Sequence, residues 1–224
     1  MVLKVNELFV SLQGEGPQTG QITTFIRLQG CNFFSAGGCS YCDTKYAQDP
    51  NGKCEELSIE EILERVADSP RICITGGEPL MQEKELLLLI NALNFPKKRD
   101  IDIETNGSYS AVALIKSYFP STLVVMDWKL PSSGMEGFMD AFNFLSLTEN
   151  DVVKFVCGGE EDYIAALAVK GRLAHWEIFP KFYFHALGGT AEKWLVEAIL
   201  EDKLWDVYFG VQLHKLLWGN KRGV

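Results

Sequence analysis

The sequence predicts an α/β fold: a partial (open) TIM-like βα barrel with about six parallel strands and an N-terminal extension, in one domain over residues 1–224. Three observations predict it. From Ser58 onward, short apolar runs of strand type alternate with helical patterns of about 10 to 15 residues, the length that a parallel neighbour needs for its crossover. About six or seven such strands in 224 residues fall short of the eight strands and roughly 250 residues of a closed barrel. Unusual polar motifs also follow the strands directly, at the C-terminal ends where α/β enzymes build their sites.

The elements follow in order. Val5 to Ser11 and Thr23 to Leu28 are rich in Val, Phe and Ile and are separated by the Gly and Pro of Gln13 to Gly20, which predicts two paired strands. Cys31 to Leu57 has no sustained periodicity and is longer than an idle connection in a compact domain, so it reads as a functional loop. Ser58 with Glu61 forms a capping box ahead of the apolar positions Ile59, Ile62, Leu63 and Val66. Strands are predicted at Ile72 to Ile74, Ile101 to Glu104, Leu123 to Met126, Val152 to Val156, Phe182 to His185 and Val207 to Leu213. Helices are predicted near Lys84 to Leu93, Ala111 to Tyr118, Asp162 to Lys170 and Ala191 to Leu200.

Composition excludes several classes. At 25.1 kDa the chain can bury about 70% of its unfolded surface, enough for one sizeable core. No apolar run approaches the length of a membrane span, and Lys4, Asn6 and Glu7 interrupt the N-terminus where a signal peptide is apolar, so a cytoplasmic protein with no membrane partner is expected. A net charge of −9 repels phosphate backbones, which argues against a nucleic-acid partner. Six cysteines are too few for a disulfide scaffold, and three of them share one loop, which points to a metal or to redox chemistry.

Those three, Cys31, Cys39 and Cys42, form C-x7-C-x2-C after the second strand. Idle thiols usually scatter along a chain. Structural zinc takes four ligands, and Cys54 is the only nearby candidate for the fourth, so a non-catalytic zinc-binding module is one alternative. An iron–sulfur cluster with one iron free of protein ligands is another, since four-iron clusters usually take four Cys. After the next strand, Thr75-Gly76-Gly77-Glu78-Pro79 offers glycines that let the backbone approach a ligand and a carboxylate that can accept bonds from an ammonium group. Glu104-Thr105-Asn106-Gly107 and Asp127-Trp128-Lys129, with Ser132 and Ser133, place polar groups at two further strand ends, where helix capping is the bland explanation.

The cysteine loop and the Gly-Gly-Glu-Pro turn together resemble the radical S-adenosylmethionine superfamily, whose usual C-x3-C-x2-C is here longer by four residues within Asn32 to Gly38. Gly37 and Gly38 allow that insertion to bulge without moving the thiols. Phe9-Val-Ser-Leu-Gln-Gly-Glu-Gly16, Thr24-Phe-Ile-Arg-Leu-Gln-Gly-Cys-Asn32, Tyr41-Cys-Asp-Thr44, Gly76-Gly-Glu-Pro-Leu80, Glu104-Thr-Asn-Gly107 and Gln212-Leu-His-Lys215 extend the likeness over the whole chain and resemble the 7-carboxy-7-deazaguanine synthase family.

That resemblance implies a single radical S-adenosylmethionine domain that converts 6-carboxy-5,6,7,8-tetrahydropterin to 7-carboxy-7-deazaguanine with loss of ammonia. It implies a 4Fe-4S cluster on Cys31, Cys39 and Cys42, and S-adenosylmethionine held by Tyr41, Asp43, Gly76, Gly77, Glu78, Glu104, Asp127 and Lys129. Mg²⁺ is implied at Thr44, and substrate contacts at Leu12, Gln13, Gly14, Arg27, Thr75 and His185. Gln13 and Glu15 suit the donor and acceptor edge of a pterin, and the Arg27 guanidinium suits its carboxylate, so Glu15 and Arg27 are the catalytic candidates. A flavodoxin- or ferredoxin-type electron donor and a homodimer are further implications. An activase of a glycyl radical enzyme shares the cysteine and glycine features, but Gln13, Glu15 and Arg27 speak for a pterin pocket. At Phe184-His-Ala-Leu187 the chain departs from the Gln-Pro strand end usual in the family.

Overall fold

The computed structural model describes residues 1–189 and 192–224. Nine strands form one sheet: β1 (Val2–Leu12), β2 (Ile22–Leu28), β3 (Glu55–Ser58), β4 (Arg71–Gly76), β5 (Asp100–Thr105), β6 (Leu123–Trp128), β7 (Val152–Cys157), β8 (Lys181–Ala186) and β9 (Val207–Gly210). Their order is β3-β1-β2-β4-β5-β6-β7-β8-β9. The strands from β2 through β4 to β9 are parallel, whereas β1 is antiparallel to both its neighbours and makes the N-terminal extension. The sheet is not closed between its outer strands β3 and β9, so the architecture is an open βα barrel, as the strand count predicts.

Alternation along each strand divides its residues between two environments. Ile26 and Leu28, Ile72 and Ile74, Ile101 and Ile103, Val124 and Met126, Val153 and Phe155, and Phe182 and Phe184 enter one apolar core. The helices α1 (Ile59–Arg65), α2 (Glu83–Asn94), α3 (Val112–Tyr118), α4 (Glu160–His175) and α5 (Lys193–Glu201) cover that face. On α2, Leu86, Leu89, Ile90 and Leu93 supply the apolar stripe at helical spacing. The intervening strand residues, among them Arg27, Thr75, Glu104, Asp127, Lys154 and His185, line a cavity on the opposite face. The capping box forms as predicted: the Ser58 hydroxyl accepts from the Glu61 amide at 3.2 Å and the Glu61 carboxylate accepts from the Ser58 amide at 2.8 Å.

Two expectations are corrected. The end of the predicted Cys31 to Leu57 loop is β3, whose Glu55 and Glu56 read as loop because only Leu57 is buried; its partner is the edge of β1, distant in sequence. The last predicted strand stops at Gly210, and Leu213–Trp218 turns back as a short helix, α6. Between β6 and β7 the crossover consists of 3-10 turns at Pro131–Ser133, Glu136–Phe138 and Ala141–Ser146, and Phe144 stacks on Trp128 at 4.3 Å between centroids to cover the sheet. The predicted start of the last long helix at Ala191 lies outside the described residues. Among the described residues, no helix is long and apolar enough to cross a membrane.

Candidate active site

The cysteine loop leaves β2 through Gly30 and Cys31. Its extra residues form one 3-10 turn, Phe34–Ala36, which ends at Gly37 (φ 92°) and Gly38 (φ 74°), two left-handed positions that suit glycine. The Gly38 amide then donates to the Phe33 carbonyl at 2.8 Å, so the turn returns the chain to Cys39. Phe33, almost fully buried, packs with Cys31, Cys39 and Met135 and anchors the bulge. Cys31, Cys39 and Cys42 all line the cavity, and burial pushes the Cys31 thiol up to about 11 and the Cys39 thiol upward, with the neighbouring thiols adding to the effect on each. Two buried thiols and a half-buried third suit a cationic group that takes thiolates and offsets their burial. Cys54, which a zinc module would need as its fourth ligand, does not line this cavity.

The Gly76-Gly77-Glu78 strip runs beside that loop. A Cβ on Gly76 would collide with the Leu28 carbonyl oxygen, and one on Gly77 with that of Gly30, so the absent side chains let the strip pack against the cysteine-bearing chain. The Gly77 amide donates to Leu28 O at 3.2 Å and the Glu78 amide to Gly30 O at 2.7 Å. Gly76→Ala is therefore expected to lower stability by about 1–3 kcal/mol through overpacking, read as a reduced denaturant midpoint.

The Glu78 carboxylate does not face the cavity. It is fully buried and accepts from the Asn106 amide at 2.6 Å, the Leu80 amide at 2.9 Å and the Thr105 hydroxyl at 2.9 Å. It braces the end of β4 to the end of β5, and burial pushes its carboxyl up to about 7 despite those donors. This corrects the expectation that it would receive a ligand's ammonium group.

The remaining candidates converge on a cavity of about 790 Å³, within the range of small-molecule sites. Leu12, Gln13, Gly14, Glu15, Arg27, Tyr41, Asp43, Thr44, Thr75, Gly76, Gly77, Glu104, Asp127, Lys129 and His185 all line it. Lys154, which sequence reasoning missed, organises its charge. Its ammonium donates to Glu15 at 2.6 Å and reaches Asp127 at 3.0 Å, while Lys129 reaches Asp127 at 3.1 Å. Burial alone would raise the Glu15 and Asp127 pKa values, but the adjacent ammonium groups hold both carboxyls below their usual range. The side-chain amide of Gln212, in the segment matched near the C-terminus, also donates to Glu15.

Other candidates are occupied differently from the expectation. The Gln13 amide donates to Asp102 at 3.1 Å and Glu104 at 3.3 Å, and its oxygen accepts from the Gly14 amide at 2.8 Å. Its side chain thus shapes the 12–15 turn and is not free to read a ligand edge. Arg27 donates through Nε to Glu7 at 3.2 Å and keeps its guanidinium at the cavity wall. The Thr44 hydroxyl donates to Asp43 at 3.0 Å, and Asp43 pairs with Lys215 at 2.9 Å. His185 is 2% exposed with neither ring nitrogen partnered, and burial lowers its pKa, which leaves a neutral imidazole at pH 7. The Tyr41 hydroxyl is likewise unpartnered.

An open βα barrel with three thiols on the loop after its first parallel strand defines a radical S-adenosylmethionine enzyme, and residues 25–126 match the Radical SAM superfamily. The chain is 36% identical to the 7-carboxy-7-deazaguanine synthase of Clostridium acetobutylicum over 100% of both chains. It is 34% identical to that of Chlorobaculum tepidum, over 99% of this chain and 97% of the relative. The chain belongs to the 7-carboxy-7-deazaguanine synthase family. In fold it is similar to QueE from Escherichia coli, with a TM-score of 0.74 at 24% identity over 94% of this chain and 95% of that one. Radical SAM enzymes use a 4Fe-4S cluster and S-adenosylmethionine, and the thiol trio fits the cluster.

Proposed function

We propose that this chain converts 6-carboxy-5,6,7,8-tetrahydropterin to 7-carboxy-7-deazaguanine with release of ammonia, in queuosine-type 7-deazapurine biosynthesis. One observation carries the reading: a single cavity of about 790 Å³ gathers the three thiols, the Arg27 guanidinium and a polar lining. Cys31, Cys39 and Cys42 hold the cluster, and Tyr41, Asp43, Gly76, Gly77, Asp127 and Lys129 hold S-adenosylmethionine. When bound, the cluster and S-adenosylmethionine would supply radical, hydrogen-abstracting chemistry for C6 of the substrate.

The chain's own residues bind, orient and exclude water, since the cofactors carry the hard chemistry. Arg27 grips the substrate carboxylate, its Nε already fixed by Glu7. Backbone groups of Leu12 to Gly14, shaped by the Gln13 amide, meet the ring with Thr75 and the neutral His185. Lys154 holds Glu15 ionised beside it. Thr44 offers a hydroxyl to Mg²⁺, a hard cation that prefers oxygen and retains waters. A flavodoxin- or ferredoxin-type donor supplies the electron, and the enzyme works as a cytoplasmic homodimer without nucleic-acid or membrane partners.

The test is anaerobic reconstitution with iron and sulfide, then incubation with the tetrahydropterin, S-adenosylmethionine, Mg²⁺ and reductant. The expected result is 7-carboxy-7-deazaguanine by mass spectrometry with one ammonia per product. Cleavage of S-adenosylmethionine with the pterin untouched would favour a glycyl-radical activase, and a colourless zinc protein would overturn both readings.

A further inference from the structure

The carboxylates of the cavity differ in what neutralises them. Glu15, Asp127 and Asp43 each have a lysine ammonium within 3.1 Å. Glu104 has no ion-pair partner among the described residues; Lys154 acts on it only through space. Its two oxygens accept from neutral groups, the Gln13 amide at 3.3 Å and the Thr75 hydroxyl at 3.0 Å. A carboxylate offers about four acceptor positions, so two remain for N–H donors from the cavity. Behind Glu104, Asp102 is 1% exposed, shares the Gln13 amide at 3.1 Å and leaves Oδ1 unpartnered. His185, buried and unpartnered at both nitrogens, lines the same cavity and independently marks it as built to receive a polar ligand. Cys73, Asp102 and Glu104 bring potential ligand atoms within 4.8 Å of one another, but donors from Gln13 and Thr75 already point at both carboxylates, which suits a donor-bearing ligand better than a cation.

Register places Glu104 relative to Arg27. Arg27 pairs with Thr75 across β2 and β4, and the Ile74 pairing with Ile103 sets Thr75 beside Glu104 across β4 and β5. Two strand spacings, about 10 Å, therefore separate the guanidinium strand from the carboxylate strand along one wall. We propose that Glu104, backed by Asp102, is the specificity-determining residue that reads the paired N–H donors of the pterin's 2-amino and N3 positions, while Arg27 holds the carboxylate at the other end. A carboxylate meets two parallel N–H groups there as it meets a guanidinium. This rests on the pterin reading above and assigns Glu104 to the substrate, in place of the S-adenosylmethionine contact expected from sequence.

The test titrates the full-length reconstituted protein, with S-adenosylmethionine present, against 6-carboxypterin and against 6-carboxylumazine, which has oxygen in place of the 2-amino group. Wild-type protein is expected to prefer the pterin by about tenfold or more, the scale of a hydrogen bond to a charged group. In Glu104→Gln the pterin should lose about that factor while the lumazine changes little, so the preference collapses. Glu104→Asp, which keeps the charge at shorter reach, should retain a weakened preference; iron content and melting confirm that each variant is folded. An undiminished preference in folded Glu104→Gln, or wild-type affinity in Glu104→Asp, would overturn the proposal and leave the pterin reading intact. Failure of wild-type protein to bind 6-carboxypterin would overturn both.

Discussion

Replacing Cys39 with alanine is expected to abolish cluster assembly and turnover together, with iron and acid-labile sulfide falling to background after reconstitution. Cys39 is the thiol that the inserted turn returns to the cavity beside Cys31 and Cys42, and a cluster held on these three thiols would have no spare ligand. The fold should persist, because the change removes one sulfur from a small local cluster with Phe33 and Met135, while the main core lies elsewhere. Cys157→Ala is the informative control. That thiol is more deeply buried, 1% exposed against 9% for Cys39, but belongs to the sheet core, so the variant should lose stability and keep its iron. A Cys39→Ala protein with a full cluster and normal turnover would remove the basis for the site.

Lys154→Met is expected to cost about 1–3 kcal/mol at neutral pH, because it leaves the largely enclosed Glu15 and Asp127 carboxylates with one ammonium fewer. The deficit should depend on pH in a definite direction. In the wild type both carboxyls have depressed folded pKa values, so their contribution is present above the unfolded carboxylate pKa and is lost as pH falls through the folded values. In the variant, burial of Glu15 is offset less, with Gln212 still donating to it, so its folded pKa moves upward and its ionisation stabilises the fold less than in the wild type. The gap between the two proteins should therefore be widest near pH 7 and narrow toward pH 4, measured as urea midpoints. Equal gaps at both pH values would show that Lys154 contributes packing alone.

Much of this was legible because it is local. The alternation of strand and helix periods gives the parallel sheet, Ser58 and Glu61 give a helix start, and the spacing of Cys31, Cys39 and Cys42 gives the thiol loop. What stayed hidden depends on partners far along the chain. Lys154 sits in the run Val-Val-Lys-Phe-Val-Cys, and nothing local says whether its side of the strand faces solvent or the barrel interior. A lysine between apolar neighbours on a buried strand was the available signal. Gln212 meets Glu15 across 197 residues, and β3 exists only because β1 offers it an edge. The Gly-Gly-Glu turn was read as a ligand strip because its glycines are visible in sequence, whereas the carbonyls of Leu28 and Gly30 that require them are not. Glu78 likewise looked free until Asn106, Thr105 and Leu80 were seen to claim it.

The most direct single measurement uses 6-carboxytetrahydropterin deuterated at C6, turned over anaerobically by the reconstituted protein with unlabelled S-adenosylmethionine. Deuterium is expected in the adenosyl group recovered after turnover, as S-adenosylmethionine where the cofactor re-forms and as 5′-deoxyadenosine where it is consumed, together with 7-carboxy-7-deazaguanine, because the hydrogen would leave C6 as an atom taken by the adenosyl 5′-carbon. Product formed while both S-adenosylmethionine and 5′-deoxyadenosine stay unlabelled would contradict the assignment of this cavity to radical chemistry at C6.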